Sequence, residues 1–171
     1  MLAFFIASCS LKVLFMIVYR ILSVFVNLFS ALIAVITLFG VMYAIANPAA
    51  LLQCFLFIGV TLYGWFANRF HRHVLLQEER LPRRQKDWLQ VNAIVAFIFC
   101  VLGISNAVYV YRNPNIFDDV LKQLPPEMAA SQQLLLNIST GLFVCCLLLA
   151  IHIAWTYILV RKHAAYFTDE A

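Results

Sequence analysis

The chain has 171 residues, of which 64% are hydrophobic and only 12% are charged, whereas a soluble domain is about 45–50% apolar and about 25% charged. So few polar residues cannot cover a globule in water, which excludes an ordinary soluble domain. The apolar residues fall in blocks of about 20, the length that crosses a bilayer as a helix. The formal net charge of +4 therefore matters mainly through its placement around such helices.

The first 20 residues form an apolar segment that is interrupted by Lys12. A signal peptide requires a basic region before its apolar stretch, and this segment has none. Met16 offers a second start for the chain. We expect residues 1–20 to lie along the inner membrane interface or to lengthen the first helix.

The first two predicted spans cover residues 21–46 and 49–68, and Asn47-Pro48 separates them. Proline disfavours helix at the residue before it, but it is well suited to the first position of a new helix. Because the turn between the two spans is so short, we expect them to form an antiparallel hairpin.

Residues 69–87 form a basic loop between the second and third spans. Its cations are Arg69, Arg72, Arg80, Arg83, Arg84 and Lys86. Lys and Arg beside a span are retained on the cytoplasmic side, so this loop is predicted to be cytoplasmic and no nucleic acid is expected as a partner. The residues expected to contact anionic lipid headgroups are Arg69, Arg72, Arg83, Arg84 and Lys86.

The third and fourth predicted spans cover residues 88–111 and 134–160. Asp87 and Gln90 have the spacing of a helix N-cap and its N3 partner. An outer loop, residues 112–133, carries apolar residues at helical spacing from Ile116 to Leu124, which predicts a short amphipathic helix on the outer surface. Residues 161–171 form a cytoplasmic tail.

The predicted fold is therefore all-α, with four transmembrane helices in two antiparallel hairpins. Both termini are predicted to be cytoplasmic, because this orientation places ten of the 12 Lys and Arg residues on the inner side. The compact chain, its short loops and the lack of processing signals favour a plasma membrane, the bacterial inner membrane in particular.

Polar residues inside the predicted spans are few and neutral. Pumps and coupled transporters place ionisable groups at membrane depth, and no Asp, Glu, Lys or Arg falls well inside any of these spans. Gln53, Asn106, Asn137 and Thr140 fall in the outer halves of their helices, where an amide facing lipid would lack a partner. We expect them to point inward, either as hydrogen-bonding contacts between helices or as the lining of a small polar pocket.

The histidines give no firm cofactor or metal site. His152 lies inside a span, but haem held in a helical bundle normally needs a second axial ligand at matching depth, and His71 and His73 lie beyond the end of the second span. A neutral, hydrogen-bonded His152 is the favoured interpretation. His71, His73 and His163 lack the cysteine or carboxylate partners of a typical zinc site, so no metal and no cofactor are expected.

No catalytic motif is present in the sequence, so an enzyme is not expected. The patterns favour a non-catalytic subunit, assembly factor or scaffold that acts through helix–helix contacts. Its expected partners are the lipid bilayer and other membrane proteins or a second copy of the chain. The alternatives are a small transporter or channel for a neutral or weakly polar solute that uses the outer-half amides, and a haem or redox protein that uses His152.

Overall fold

The computed structural model describes residues 2–45, 47–113, 116 and 132–168, and these residues are almost entirely helical. The long helices in this part of the chain are α1 (Leu2–Ala44), α2 (Pro48–Phe70), α3 (Arg83–Arg112) and α4 (Gln132–Lys162). Within the described residues, four helices are long and apolar enough to cross a membrane. The predictions of an all-α chain and of four such helices are therefore confirmed.

The first helix is longer than predicted. It begins at Leu2, so the N-terminal segment extends the first helix rather than forming a separate element. The third helix also begins early, at Arg83 with Pro82 as its N-cap residue, and the prediction of an N-cap at Asp87 is wrong. The reason is local: Pro82 holds extended backbone at φ −60° and ψ 140°, and the Arg and Lys residues after it are good helix formers.

The second helix does not end where its apolar block ends. It continues as a π-helix, His71–Leu76, and is followed by Glu78 with a positive φ of 54°. Leu81–Pro82 forms a short strand β1, which pairs in parallel with strand β2, Phe167–Thr168. A 3₁₀ turn, Ala164–Tyr166, lies between α4 and β2. The predicted basic loop is therefore largely helical, and its short strand is tied to the C-terminal tail.

The four helices pack in a ring, with α1 on α2, α2 on α3, α3 on α4, and α4 on α1. Small residues allow the close contacts between neighbours. A Cβ atom at Gly64 would lie 2.5 Å from the Cβ of Ser30, and one at Gly103 would lie 2.6 Å from the Sγ of Cys146. Both distances are far shorter than non-bonded atoms tolerate, so these helices approach as closely as glycine permits.

The bundle has two unlike ends. We call the end that carries Arg20, the π-helix and Lys162 the basic end, and the end that carries Ala44 and Arg112 the opposite end. On α4 the buried residues run from Cys146 to Val160, and no described residue from 133 to 145 is buried. The packed core therefore lies at the basic end and in the middle of the bundle. The predicted amphipathic outer helix lies outside the described residues, apart from Ile116.

Candidate functional site: a buried histidine–tyrosine network

Five polar side chains from α1, α2 and α4 meet inside the bundle near its basic end. His152 forms hydrogen bonds through both ring nitrogens: Nδ1 lies 2.8 Å from the Tyr63 hydroxyl and Nε2 lies 3.0 Å from the Ser23 hydroxyl. The Tyr19 hydroxyl lies 3.0 Å from Thr156 Oγ1, which in turn lies 3.3 Å from the Tyr63 hydroxyl. His152, Tyr19 and Tyr63 are each 1% exposed, so water does not reach these groups.

The backbone determines which nitrogen of a neutral His152 carries the proton. The Ser23 hydroxyl donates to the carbonyl oxygen of Tyr19 at 2.9 Å, and a carbonyl oxygen can only accept. Ser23 therefore has no proton left for the imidazole, so Nε2–H donates to Ser23 and the bare Nδ1 faces the Tyr63 hydroxyl. Because both nitrogens are engaged, neither is free to bind iron, which argues against haem ligation by His152. The expectation of a hydrogen-bonded His152 is confirmed.

Aromatic rings pack against the imidazole of His152 and against each other. Tyr19 stacks on His152 with ring centroids 5.2 Å apart, and Tyr63 meets the same imidazole edge-on at 5.8 Å. His71 also lies near Tyr19, with ring centroids 5.8 Å apart. His71 is thus closer to the network than the sequence suggested, because α2 continues as a π-helix and keeps this residue inside the bundle.

The network joins three helices through hydrogen-bonded polar side chains. Within the described residues, no buried side-chain nitrogen or oxygen lacks a hydrogen-bond partner. A fully satisfied buried network strengthens its own bonds in the low-dielectric interior and fixes one arrangement of the elements that it joins. The arrangement therefore ties α1, α2 and α4 together at the basic end.

Most of this network was not identified from the sequence, which pointed to His152 alone. Tyr19 and Ser23 are four residues apart on α1, and His152 and Thr156 are four apart on α4, so each pair lies on one helix face. Two such polar pairs within otherwise apolar helices are the signal that could have revealed the site. Their meeting depends on the rotation of each helix, which spacing alone does not determine.

The predicted intramembrane cluster is not gathered in one place. Gln53, Asn106, Asn137 and Thr140 are all exposed on the described surface, and among the described residues no hydrogen bond joins any two of them. The expectation that they point inward is therefore not met. The physical reason is that the helices bury few residues towards the opposite end, so this part of their surface stays open.

Two of these residues have partners elsewhere. The Thr140 hydroxyl forms a hydrogen bond with the hydroxyl of Tyr111 on α3, which is the contact between helices that was expected of it. Asn137 accepts a hydrogen bond from Gln133 Nε2 at 3.2 Å, within α4. The polar groups at this end thus pair locally or across one helix contact, and they do not converge on a common centre.

The predicted headgroup contacts lie at the basic end. Arg69, Arg72, Arg83 and Arg84 are exposed there, whereas Lys86 is half-buried with its ammonium 5.9 Å from the ring centre of Phe167. Arg69 and Arg72 line a cavity of about 240 Å³ together with Trp65. The four exposed cations are placed where a membrane surface would meet this end of the bundle, and Lys86 contacts the C-terminal tail instead.

The remaining histidines are spread over separate contacts. His73 Nδ1 lies 2.6 Å from a carboxylate oxygen of Glu79, and His163 Nδ1–H donates to the carbonyl oxygen of Leu159 at 2.9 Å. In the part of the chain that the structure describes, no group of three or more His, Cys, Asp and Glu side chains is placed to hold a metal ion. His71, His73 and His163 therefore do not converge as ligands.

The chain was also compared with known proteins. No protein-family model, no curated protein and no solved structure matches it.

Proposed function

We propose that this chain is a multi-pass membrane protein that acts through contacts between its helices and those of other membrane proteins or of a second copy. It is a subunit, assembly factor or scaffold without chemistry of its own. Both termini and the basic end face the cytoplasm of a plasma membrane, and the helices form two antiparallel hairpins.

The observation that carries the proposal is the position of Asn27. It lies near the middle of the apolar span Leu14–Met42, is exposed on α1, and makes no hydrogen bond to any described residue. Leaving an amide exposed to lipid at that depth costs roughly several kcal/mol in free energy, because hydrocarbon offers no hydrogen-bond donor or acceptor. Asn and Gln side chains instead bond across helices, so a partner helix on this face of α1 would satisfy Asn27.

The exposed face around Asn27 also suits a close approach. Val24, Ala31 and Leu38 follow one another at intervals of seven residues on the face of α1 that carries Asn27, and all are exposed. Ala31 comes one turn after Asn27, and small residues at such spacing let two helices come close enough for an interhelical hydrogen bond.

The orientation is supported by two features of the basic end. Leu81 pairs with Phe167, so the segment between α2 and α3 and the segment after α4 lie on the same side of any membrane. Arg20, Arg69 and Arg161 are exposed at this end, and Lys and Arg beside spans are retained in the cytoplasm.

Photo-crosslinking in native membranes tests the proposal. A photoreactive amino acid replaces Ala31, and in a matched variant it replaces Leu32, which is also exposed but faces a different direction on α1. We expect position 31 to yield a defined adduct, whose partner is identified by mass spectrometry. Asn27→Leu in the same chain should reduce that adduct roughly tenfold, the effect of losing about 1.4 kcal/mol of contact energy.

The control variant and the stability of the chain show whether a weaker adduct reflects the loss of a partner contact. Because Asn27 bonds to no described residue, Asn27→Leu should leave the unfolding midpoint of the purified chain unchanged. Equal adduct yields at positions 31 and 32, or an adduct that persists in full after Asn27→Leu, would show that this face of α1 does not bind a partner.

A further inference from the structure

A cavity of about 750 Å³ lies at the basic end, between α1, α4 and the π-helix. Its walls are apolar and include Phe15 from α1, Trp155 and Ile158 from α4, and Val74 and Leu75 from the π-helix. The volume is within the range of about 300–1,000 Å³ typical of ligand pockets. Phe15 and Trp155 meet edge-on at 5.4 Å between ring centroids, which closes one side of the cavity.

The rim of this cavity carries charges of both signs. Glu78, Lys162 and His163 line it, at the level where α4 ends and where a bilayer would change from hydrocarbon to headgroups. Among the described residues neither Glu78 nor Lys162 has an ion-pair partner. An apolar chamber beneath a carboxylate and an ammonium matches a ligand that has an apolar chain and a head with both charges.

The backbone that places Glu78 at the rim has an unusual conformation. The π-helix His71–Leu76 changes the helical register of the residues that follow α2, and Glu78 adopts a φ of 54°. Few residues other than glycine adopt that region, and such backbone tends to persist at functional sites. Its neighbour Glu79 points elsewhere and pairs with His73, so the two carboxylates have separate roles.

We propose that this cavity is a binding site for a phospholipid with a primary ammonium in its headgroup, such as phosphatidylethanolamine. An acyl chain lies along Trp155 and Ile158, the phosphate binds Lys162, and the ammonium binds Glu78. Lys162 is seven residues after Trp155, or about 10 Å along the helix, so a phosphate at Lys162 leaves the upper part of the chain beside Trp155. The site adds to the proposed helix contacts, and it rests only on the placement of the chain in a membrane.

The headgroup chemistry makes the site selective. A primary ammonium has N–H groups that donate charge-assisted hydrogen bonds to a carboxylate, whereas the quaternary ammonium of phosphatidylcholine has no N–H group. Phosphatidylglycerol carries the phosphate but no cation, so Glu78 would repel it. Phosphatidylethanolamine alone among these three satisfies both Glu78 and Lys162.

Fluorescence quenching by brominated acyl chains tests the proposal. The variant Trp65→Phe/Trp88→Phe keeps Trp155 as the single tryptophan, and it is titrated with brominated phosphatidylethanolamine, phosphatidylcholine or phosphatidylglycerol in unbrominated phosphatidylcholine bilayers. We expect half-maximal quenching of Trp155 at a mole fraction of phosphatidylethanolamine roughly tenfold lower than for the other two lipids, as one charge-assisted hydrogen bond allows. Glu78→Gln should erase this difference, and Lys162→Gln should weaken quenching by all three lipids.

Matched controls separate the cavity from general lipid contact. Trp88→Phe/Trp155→Phe keeps Trp65, which is exposed on α2 beside Arg69 and Arg72, and its quenching should not prefer phosphatidylethanolamine. Glu79→Gln should preserve the preference at Trp155. Equal quenching of Trp155 by the three lipids, or a preference for phosphatidylcholine or phosphatidylglycerol, overturns the proposal. This ranking of the three lipids is measured with Glu78 intact, so it does not depend on the folding of Glu78→Gln. Selective quenching without any crosslink at position 31 would keep the lipid site and reject the helix contact.

Discussion

The basic end and the opposite end of the bundle handle polar groups in contrasting ways. At the basic end His152 and Tyr63 are buried and bonded to each other, and the half-buried Ser23 bonds to the other imidazole nitrogen. Towards the opposite end the amides of Gln53 and Asn106 are exposed, in helices that bury few residues there. The difference teaches that a shared hydrogen-bond network stabilises one half of this chain, while the amides of Gln53 and Asn106 in the other half are available to contacts outside it.

The largest expected effect is at the centre of the buried network. His152→Ala removes the partner of two hydroxyls and leaves a cavity, so we expect a loss of about 2–4 kcal/mol in the free energy of unfolding. Denaturing-detergent titration followed by circular dichroism measures it. Ile151→Ala is the control, because Ile151 is 52% exposed and should change stability far less. Similar losses for both variants would mean that the network does not hold the basic end together.

Two glycines test how tightly different parts of the bundle are packed. At Gly64 a new Cβ would meet Ser30, and the Ser30 hydroxyl already donates to the carbonyl oxygen of Val60 at 3.3 Å, so the side chain cannot move away freely. Gly64→Ala should therefore cost about 1–3 kcal/mol by overpacking. At Gly141 a new Cβ would have nothing within 4 Å, and Gly141→Ala should stabilise the helix by about 0.5–1 kcal/mol.

The critical result is that the two variants change the free energy of unfolding in opposite directions, and the same detergent titration measures both changes. A stabilising Gly64→Ala would show that α1 and α2 are not as close as the bundle requires. A strongly destabilising Gly141→Ala would show that the opposite end is packed as tightly as the basic end.

The smallest effect is expected at the opposite end. Asn106→Leu should change the free energy of unfolding of the isolated chain by no more than about 0.5 kcal/mol, as is usual for exposed positions. Asn92 on the same helix offers the contrast, since it is buried and its side-chain amide donates to the carbonyl oxygen of Trp88 at 2.8 Å. Asn92→Leu should cost about 1–2 kcal/mol. A loss for Asn106→Leu as large as that for Asn92→Leu would remove the distinction between the two ends.

The sequence predicted the elements better than the contacts between them. Long apolar blocks and Asn47-Pro48 located the helices, because spanning length and proline geometry are local properties. The start of α3 was misplaced because Asp87 has the chemistry of an N-cap, while Pro82 and the helix formers after it begin the helix earlier. The signals that locate the helices, and those that compete for the start of α3, each lie within a short stretch of sequence, so reasoning from neighbouring residues can in principle find them.

The direction in which each side chain points in the bundle could not be predicted from neighbouring residues. Gln53 and Asn106 were expected to point inward because lipid cannot satisfy an amide, but that argument assumes that the bundle is the only possible partner. In apolar helices of this kind every face is hydrophobic, so no polar stripe marks the solvent side, and the rotation of each helix follows from packing. Tyr19 and Tyr63 were overlooked for the same reason, since tyrosine in a span is as common at an interface as in a core.

The pairing of Leu81–Pro82 with Phe167–Thr168 also has a consequence for biosynthesis. Its two strands are separated by α3 and α4, and a ribosome produces the second strand only after all four helices have been made. The pairing can therefore form only late in folding, once α3 and α4 have both been synthesised. A protease site placed after Lys162 would remove the second strand from the finished protein and reveal whether the bundle, once assembled, still needs that final contact.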